Sequence, residues 1–401
     1  MKILFTFGGI PHYLDALLNK LSSKSLDITV VTPQSGTATI GQGVKLVEAT
    51  GYKNISILEK KMFYGKSGFP DLDNVVIKEQ PDILVLGWPY FLQVFFQPSL
   101  RKAIRKCHTK FVIREIPFQT PPYNQIISYF KKNPMYDENM RLMSKGAGFY
   151  LKQWIVSKIR KYCYSQVAGT INYSTNAYNI IPFYGVNKDS IYVTYNSTDT
   201  DALLHEKEEV CSSQTILPIN NQRILHIGRL VKWKRVDLLV DSFKDVLLSH
   251  PKAELVIIGK GPELENLQKQ TEQLGINNSV RFIGAVYDSK KLGAYMNEST
   301  IYVLAGMGGL SINDAMTYGL PIICSVCDST EKDLVTDGIN GLFFEEGNAL
   351  DLSKKIDYLL SNSDICKQMG KESEKIISEK ININTVAERY YQAFLQIRKE
   401  G

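Results

Sequence analysis

Twice along this chain, short apolar runs alternate with longer amphipathic segments, and a polar stretch separates the two series. Strands that alternate with helices specify βαβ units and a parallel sheet. The first series predicts strands over 2–7, 27–31, 45–47, 83–86, 110–113, 167–172 and 190–194, with helices over 13–21 and 99–106. The second predicts strands over 223–227, 254–258, 280–283, 301–304 and 321–325, with helices over 235–248, 263–274 and 311–318. Segment 206–222 is polar and contains Pro218, which marks a linker. A final amphipathic helix aligns Val386, Tyr390, Phe394 and Ile397. The expected fold is α/β, with two doubly wound domains facing a central cleft. Ligands of such sheets bind outside the carboxyl ends of the strands.

The chain has 401 residues, long enough for two domains and too short for three full-sized ones. Its 44% hydrophobic and 22% charged content exclude disorder, collagen-like repeats and coiled coil. No apolar stretch reaches the ~18 residues that span a bilayer. The segment 83–96 comes nearest and carries Gly87, Pro89 and Gln93. The N-terminal run ends at Pro11 without a small-residue cleavage site, so it reads as a strand rather than a signal peptide. Six cysteines make no disulfide scaffold, and Cys324-x-x-Cys327 lacks the second pair or the His that zinc would need. A cytoplasmic protein is expected.

Charge is uneven. Residues 1–205 hold 24 Lys/Arg against 14 Asp/Glu, net +10, whereas 206–401 hold 23 against 27, net −4. Within 101–161, 14 basic residues face three acids, Glu115, Asp137 and Glu138. A focused basic surface calls for an anionic partner. The segment 149–162 mixes aromatics with Lys152, Lys158, Arg160 and Lys161, and a helix there groups Trp154 with these cations. That pattern suits an interfacial helix on anionic lipid; it also suits a domain helix with a solvated basic face. No nucleic-acid signature accompanies the charge.

Three glycine turns follow strands of the second half. Gly228 lets the chain turn, and Arg229 and Lys234 then flank a helix start where free N–H groups already favour an anion. Two fixed cations there would hold a diphosphate and stabilise the charge that builds on it as it leaves. Gly259-Lys260-Gly261-Pro262-Glu263 is an ordinary helix start. The segment 305–311 is rich in small residues and opens a helix, so Gly309, Leu310 and Ser311 offer amides to a phosphate. Asp314, one turn in, is placed to accept hydrogen bonds from vicinal hydroxyls such as those of a ribose, or simply to compensate the helix dipole.

Taken in order, Gly228-Arg229-x4-Lys234, Gly259-x-Gly261-Pro262-Glu263, Arg281-Phe282-Ile283-Gly284, Asp314-Ala315-Met316-x2-Gly319-x-Pro321 and Asp333-Leu334-Val335-x-Asp337-Gly338-x2-Gly341 resemble the C-terminal domain of the family 4 glycosyltransferases. That family has the GT-B fold of two Rossmann-like domains. The resemblance covers about 195–350. The N-terminal half is similar in layout, with Gly8-Gly9 after the first strand, Pro81-Asp82 before another and Asn196-x2-Asp199 before the linker. It implies domains over 1–205 (acceptor) and 206–380 (nucleotide-sugar), and a helix over 381–401 that crosses back.

The resemblance further implies a retaining transfer of a sugar from a nucleotide-diphosphate donor, with no metal and no cofactor beyond that substrate. Arg229 and Lys234 would act on the diphosphate, Asp314 on the ribose, and Gly228 and Gly309–Ser311 on the phosphates. Gly8 and Gly9 would approach from the other domain. His12, Arg114 and Glu115 are candidates for sugar or acceptor contacts. Asp199-Thr200-Asp201 has the form of a manganese-binding D-x-D, though two carboxylates make a thin site and a structural role is preferred. One departure stands out: Gly306 occupies the position of the family's first glutamate, eight before Asp314.

The expected activity is extension of a lipid-linked saccharide of the cell surface from a UDP-sugar, by a protein peripheral at the inner membrane face. The alternatives are a non-catalytic partner of another glycosyltransferase, and a nucleotide-sugar epimerase or soluble sugar-phosphate synthase.

Overall fold

The computed structural model describes residues 1–35, 46–137, 139–212, 215–327 and 329–399. Its contacts divide the chain into two units: Met1–Met135 with Leu142–Asn196 and Ile383–Gly401, and Tyr136–Arg141 with Ser197–Asn382.

The first unit contains β1 (Lys2–Thr6), β2 (Asp27–Pro33), β3 (Lys53–Ile57), β4 (Lys60–Lys61), β5 (Ser67–Gly68), β6 (Ile83–Gly87), β7 (Lys110–Glu115), β8 (Gly169–Asn172) and β9 (Ile191–Val193). Among the described residues, seven strands pair in the order β3-β2-β1-β6-β7-β8-β9, every pair parallel, and β4 with β5 forms a small antiparallel ribbon. The central strands read as continuous apolar runs because helices cover both faces. Ile83, Leu84, Val85 and Leu86 are all buried. The helix His12–Ser23 buries Leu14, Leu17, Leu18 and Leu21, the i, i+3, i+4, i+7 stripe of an amphipathic helix. That stripe shares one core with Val386, Tyr390, Phe394 and Ile397 of the last helix, Ile383–Lys399.

The second unit contains β10 (Arg223–Ile227), β11 (Glu254–Ile258), β12 (Val280–Gly284), β13 (Ile301–Leu304), β14 (Ile322–Cys324) and β15 (Gly341–Phe343). The order β12-β11-β10-β13-β14-β15, all parallel, is the doubly wound arrangement. The first two glycine turns of this unit touch. A Cβ on Gly259, whose φ is +151°, would sit 1.8 Å from the Gly228 carbonyl oxygen, so only glycine fits there.

Three expectations need correction. Helix Thr200–Cys211 occupies the start of the expected linker, and the unit boundary falls between Asn196 and Ser197 rather than at 205. The polar composition of that stretch belongs to a solvated helix face that buries only Thr200 and Val210. Asp199 is its N-cap, its carboxylate accepting from the Ala202 amide at 3.2 Å, which gives one half of the D-x-D a structural role. In the expected strand 45–47, Lys45 lies outside the described residues and Leu46 forms only an isolated bridge to Pro11. The edge strand is instead β3, whose polar alternation with half-buried Ile55 and Ile57 gives a weaker signal. Among the described residues, no helix is long and apolar enough to cross a membrane.

Candidate functional site

In the second unit the strand order reverses between β10 and β13, and loops after neighbouring strands at such a point form a crevice. β10 ends in Gly228-Arg229; β13 ends in the segment 305–309. Lys234 joins the two. It lies in the short turn Lys232–Lys234 and is 9% exposed, and its Nζ donates to the carbonyls of Met307 at 2.7 Å and Gly308 at 2.6 Å. The Met307 amide returns a bond to the Trp233 carbonyl at 3.0 Å. A Cβ on Gly309 would stand 3.2 Å from Lys234 Nζ, so the ammonium lies directly behind the exposed tip of the glycine loop. Arg229 stacks its guanidinium over Trp233 at 5.5 Å, which orients the second cation beside the first turn. The sequence-predicted cations and the glycine loop are thus brought together.

Asp314 lies in the first turn of the helix Ser311–Thr317, on the far side of that loop. Its Oδ1 is shut off from solvent and has no hydrogen-bond partner, although the residue as a whole keeps some exposed surface. Burial pushes its carboxyl up to about 6; the nearby Thr198 hydroxyl opposes the shift without reaching sound hydrogen-bond geometry. A buried carboxylate oxygen without a donor is costly, and a ligand that brings a hydroxyl donor relieves that cost. Ser311 is less available: its Oγ lies 2.7 Å from the Tyr302 hydroxyl, which also donates to the Ile227 carbonyl at 3.1 Å.

Sequence reasoning missed His226, which lies fully buried two residues before Gly228. Its Nδ1 lies 3.0 Å from the Val303 carbonyl, which fixes the proton on Nδ1 and leaves Nε2 as an unpartnered acceptor. Burial lowers its pKa to about 4, the Val303 bond opposes this, and Lys234 lowers it further. A lone imidazole within the apolar run 224–227, just ahead of a glycine turn, was the available signal.

Gly306 has a steric explanation. A Cβ there would come within 2.3 Å of the Trp233 carbonyl oxygen and 2.6 Å of the Lys234 carbonyl carbon. The backbone approach that seats Lys234 behind the loop therefore excludes any side chain at the position of the family's first glutamate.

In the first unit, Gly8 and Gly9 follow β1, and Gly9 has φ +151°. Exposed His12 opens the next helix. Arg114, at the end of β7, lies over the rings of Phe7 (5.2 Å) and Tyr173 (4.5 Å), and its Nε donates to Tyr390 Oη at 2.8 Å. Two candidates change role. Glu115 is buried, accepts from Arg160 Nη1 at 2.5 and 2.7 Å and is hydrogen-bonded by Tyr164, so it is not presented to a sugar. Arg160, expected among the membrane-facing cations, is the buried partner of that pair at 8% exposure, flanked by Trp88 and Phe91.

The other four members of that set stay near the surface of the helix Gly146–Tyr164. Trp154 is half exposed, Lys158 lies 5.3 Å from its ring, and Lys158 Nζ donates to Tyr123 Oη at 2.6 Å. Lys161 sits 4.2 Å from the Tyr123 ring, and Lys152 is exposed. Exposed Ile127, Leu151 and Ile155 complete an apolar patch set among cations.

The second unit also resembles known proteins in sequence. Residues 209–376 match the family model described as glycosyl transferases group 1. That match covers most of the second unit and none of the first. An uncharacterized glycosyltransferase of Haemophilus influenzae is 31% identical over 190 residues, 45% of this chain and 53% of its own length. The alpha-monoglucosyldiacylglycerol synthase of Acholeplasma laidlawii is 23% identical over 296 residues, covering 69% of this chain and 71% of its own. The chain spans about half the length of the first curated relatives it matches. HepE of Anabaena, solved in complex with UDP, superposes with a TM-score of 0.69 at 16% identity, covering 99% of this chain and 100% of its own. Sucrose-phosphate synthase of Thermosynechococcus elongatus gives 0.70 at 14% identity, covering 100% of both chains. The fold is GT-B.

Proposed function

We propose that this protein is a glycosyltransferase that moves a sugar, with retention, from a UDP-sugar to a lipid-linked saccharide in cell-surface polysaccharide synthesis. The observation that carries the reading is Lys234, buried behind the glycine loop at the switch point with Arg229 beside it. Negative charge grows on the diphosphate as its bond to the sugar C1 breaks, and these two fixed cations oppose that charge without reorganising. The acceptor hydroxyl attacks C1 on the same face and passes its proton to the departing phosphate oxygen. The reaction as drawn uses Arg229 and Lys234 where other transferases use a metal. Asp314 receives the ribose hydroxyls, and the amides of Gly228 and Gly309–Ser311 receive phosphate oxygens. Gly8, Gly9, His12 and Arg114 belong to the acceptor-side unit.

UDP complexes of a protein with this fold support the choice of base. The curated matches that act on diacylglycerol lipid and on poly(glycerol-phosphate) support an amphiphilic or anionic acceptor. The patch around Trp154, Lys152, Lys158 and Lys161 is read as the contact with the anionic inner face of the plasma membrane. Gly306 favours a second reading, a non-catalytic partner that binds nucleotide without turnover.

Thermal-shift titration with UDP, GDP, ADP and dTDP, with and without EDTA, tests the donor site. A rise in midpoint with UDP that EDTA leaves unchanged is expected. No rise with any nucleotide would overturn the donor assignment, and a rise without sugar transfer to any lipid acceptor would favour the partner reading.

A further inference from the structure

Beside the membrane-facing patch, a groove of about 360 Å³ runs between the helix Gly146–Tyr164 and the Trp88–Phe96 segment. Its walls are Tyr64, Trp88, Leu92, Phe96, Ile155 and Ile159. The Tyr64 and Phe96 rings stack at 4.2 Å, which gives one wall a flat apolar surface. Lys66 and Lys152, both exposed, are the charged residues of the lining; Lys66 Nζ lies 5.5 Å over Trp88. Among the described residues, no acidic one lines the groove.

The opening depends on Gly148, in the first turn of the helix. A Cβ there meets nothing within 4 Å, so the helix leaves open space where any other residue would project a side chain. Glycine in a helix costs about 1 kcal/mol relative to alanine. Nothing in the local packing requires it.

We infer that this groove holds one acyl chain of an anionic glycerolipid, with Lys66 and Lys152 at its mouth binding the headgroup phosphate. The lining selects this occupant. A peptide would carry backbone N–H and C=O groups into walls that offer them few partners, whereas an acyl chain needs none. The two cations, within a region that carries net positive charge, complement a phosphate. The inference rests on the membrane reading above and adds to it a specific lipid site.

Trp88, Trp154 and Trp233 are the three tryptophans of the chain, so Trp154→Phe with Trp233→Phe leaves Trp88 as the only reporter. The probe is vesicles of phosphatidylglycerol whose acyl chains carry bromine at mid-chain, a contact quencher of indole fluorescence. Strong quenching of Trp88 is expected. Adding Gly148→Leu fills the groove from a helical position that tolerates the side chain. It should reduce the quenching at least twofold while flotation shows vesicle binding retained and the melting temperature is equal or higher.

Unchanged quenching with Gly148→Leu would overturn the groove assignment and leave the membrane reading standing. Failure of the parent protein to float with anionic vesicles would overturn both. A dimer in lipid-free solution that Gly148→Leu dissociates would give the groove to a second copy of the chain and overturn the lipid assignment.

Discussion

Lys234 Nζ donates to the Gly308 carbonyl at 2.6 Å, which ties the turn after β10 to the loop after β13 through a buried ammonium. One side chain thereby organises the loop and places a positive charge behind it. Lys234→Met should lower both stability and donor affinity. Loss of a donor to two part-buried carbonyls costs about 1–3 kcal/mol. Turnover should fall on the order of 100-fold or more, the usual loss when one preorganised charge-stabilising group is removed. Calorimetric UDP binding and sugar-transfer rates measure the two effects; near-native values for both would refute the site.

Asp314 should make the proposed donor site pH-sensitive in a definite direction. Its folded carboxyl titrates near 6 and the ordinary value is 3.8, so its ionisation weakens the fold as pH rises from about 4 through 6. Ribose hydroxyls donate to the ionised form, so UDP-glucose, whose diphosphate has no titration in that range, should bind more tightly above pH 6. Asp314→Asn should abolish this pH dependence, weaken binding and raise apo-protein stability at pH 7.5 by about 3 kcal/mol. Binding isotherms from pH 5 to 8 and denaturant melts check both halves.

His226 acts in the opposite sense. Its pKa is depressed to about 4, so its contribution is complete above pH 6.5 and is lost as pH falls through 4. A histidine that must stay neutral contributes about 3 kcal/mol of acid lability across that window. His226→Gln should flatten the stability profile between pH 6.5 and 4, measured by urea midpoint against pH.

At Gly306 the expectation is steric. Gly306→Glu restores the family's residue type at that position, yet its Cβ would meet the Trp233–Lys234 backbone. It should destabilise the protein by about 1–3 kcal/mol and weaken UDP binding by displacing Lys234. A gain in transfer rate would show that the backbone yields there.

On the first unit, Trp154→Ala with Lys158→Glu should cut binding to anionic vesicles at least tenfold and leave UDP affinity unchanged. Arg160→Ala should instead unfold the protein more readily, by about 3–5 kcal/mol, because it leaves Glu115 buried without its cation. Vesicle co-sedimentation and thermal melts separate the two.

Much of the proposed donor site is legible in the sequence. The glycine turn with Arg229 and Lys234, the loop at Gly309 and the acid at Asp314 each follow a strand or open a helix, and such positions are local in sequence. His226 was overlooked because a buried imidazole in a strand has no periodicity of its own. β3 escaped because a half-exposed edge strand carries few apolar residues, and the helix Thr200–Cys211 because its solvated face resembles a linker in composition.

The two parallel sheets, and which loops leave their carboxyl ends, follow from neighbouring residues alone, because strand and helix periodicities are local. The tertiary structure alone decided that Arg160 turns inward to Glu115 instead of outward to a membrane, that Lys234 is buried behind Gly308, and that Asp314 keeps a carboxylate oxygen without a donor. Each of these depends on side chains or backbone from separate elements meeting in a region closed to water, where the cost of an unpaired charge or an added Cβ is set by neighbours that sequence spacing does not identify.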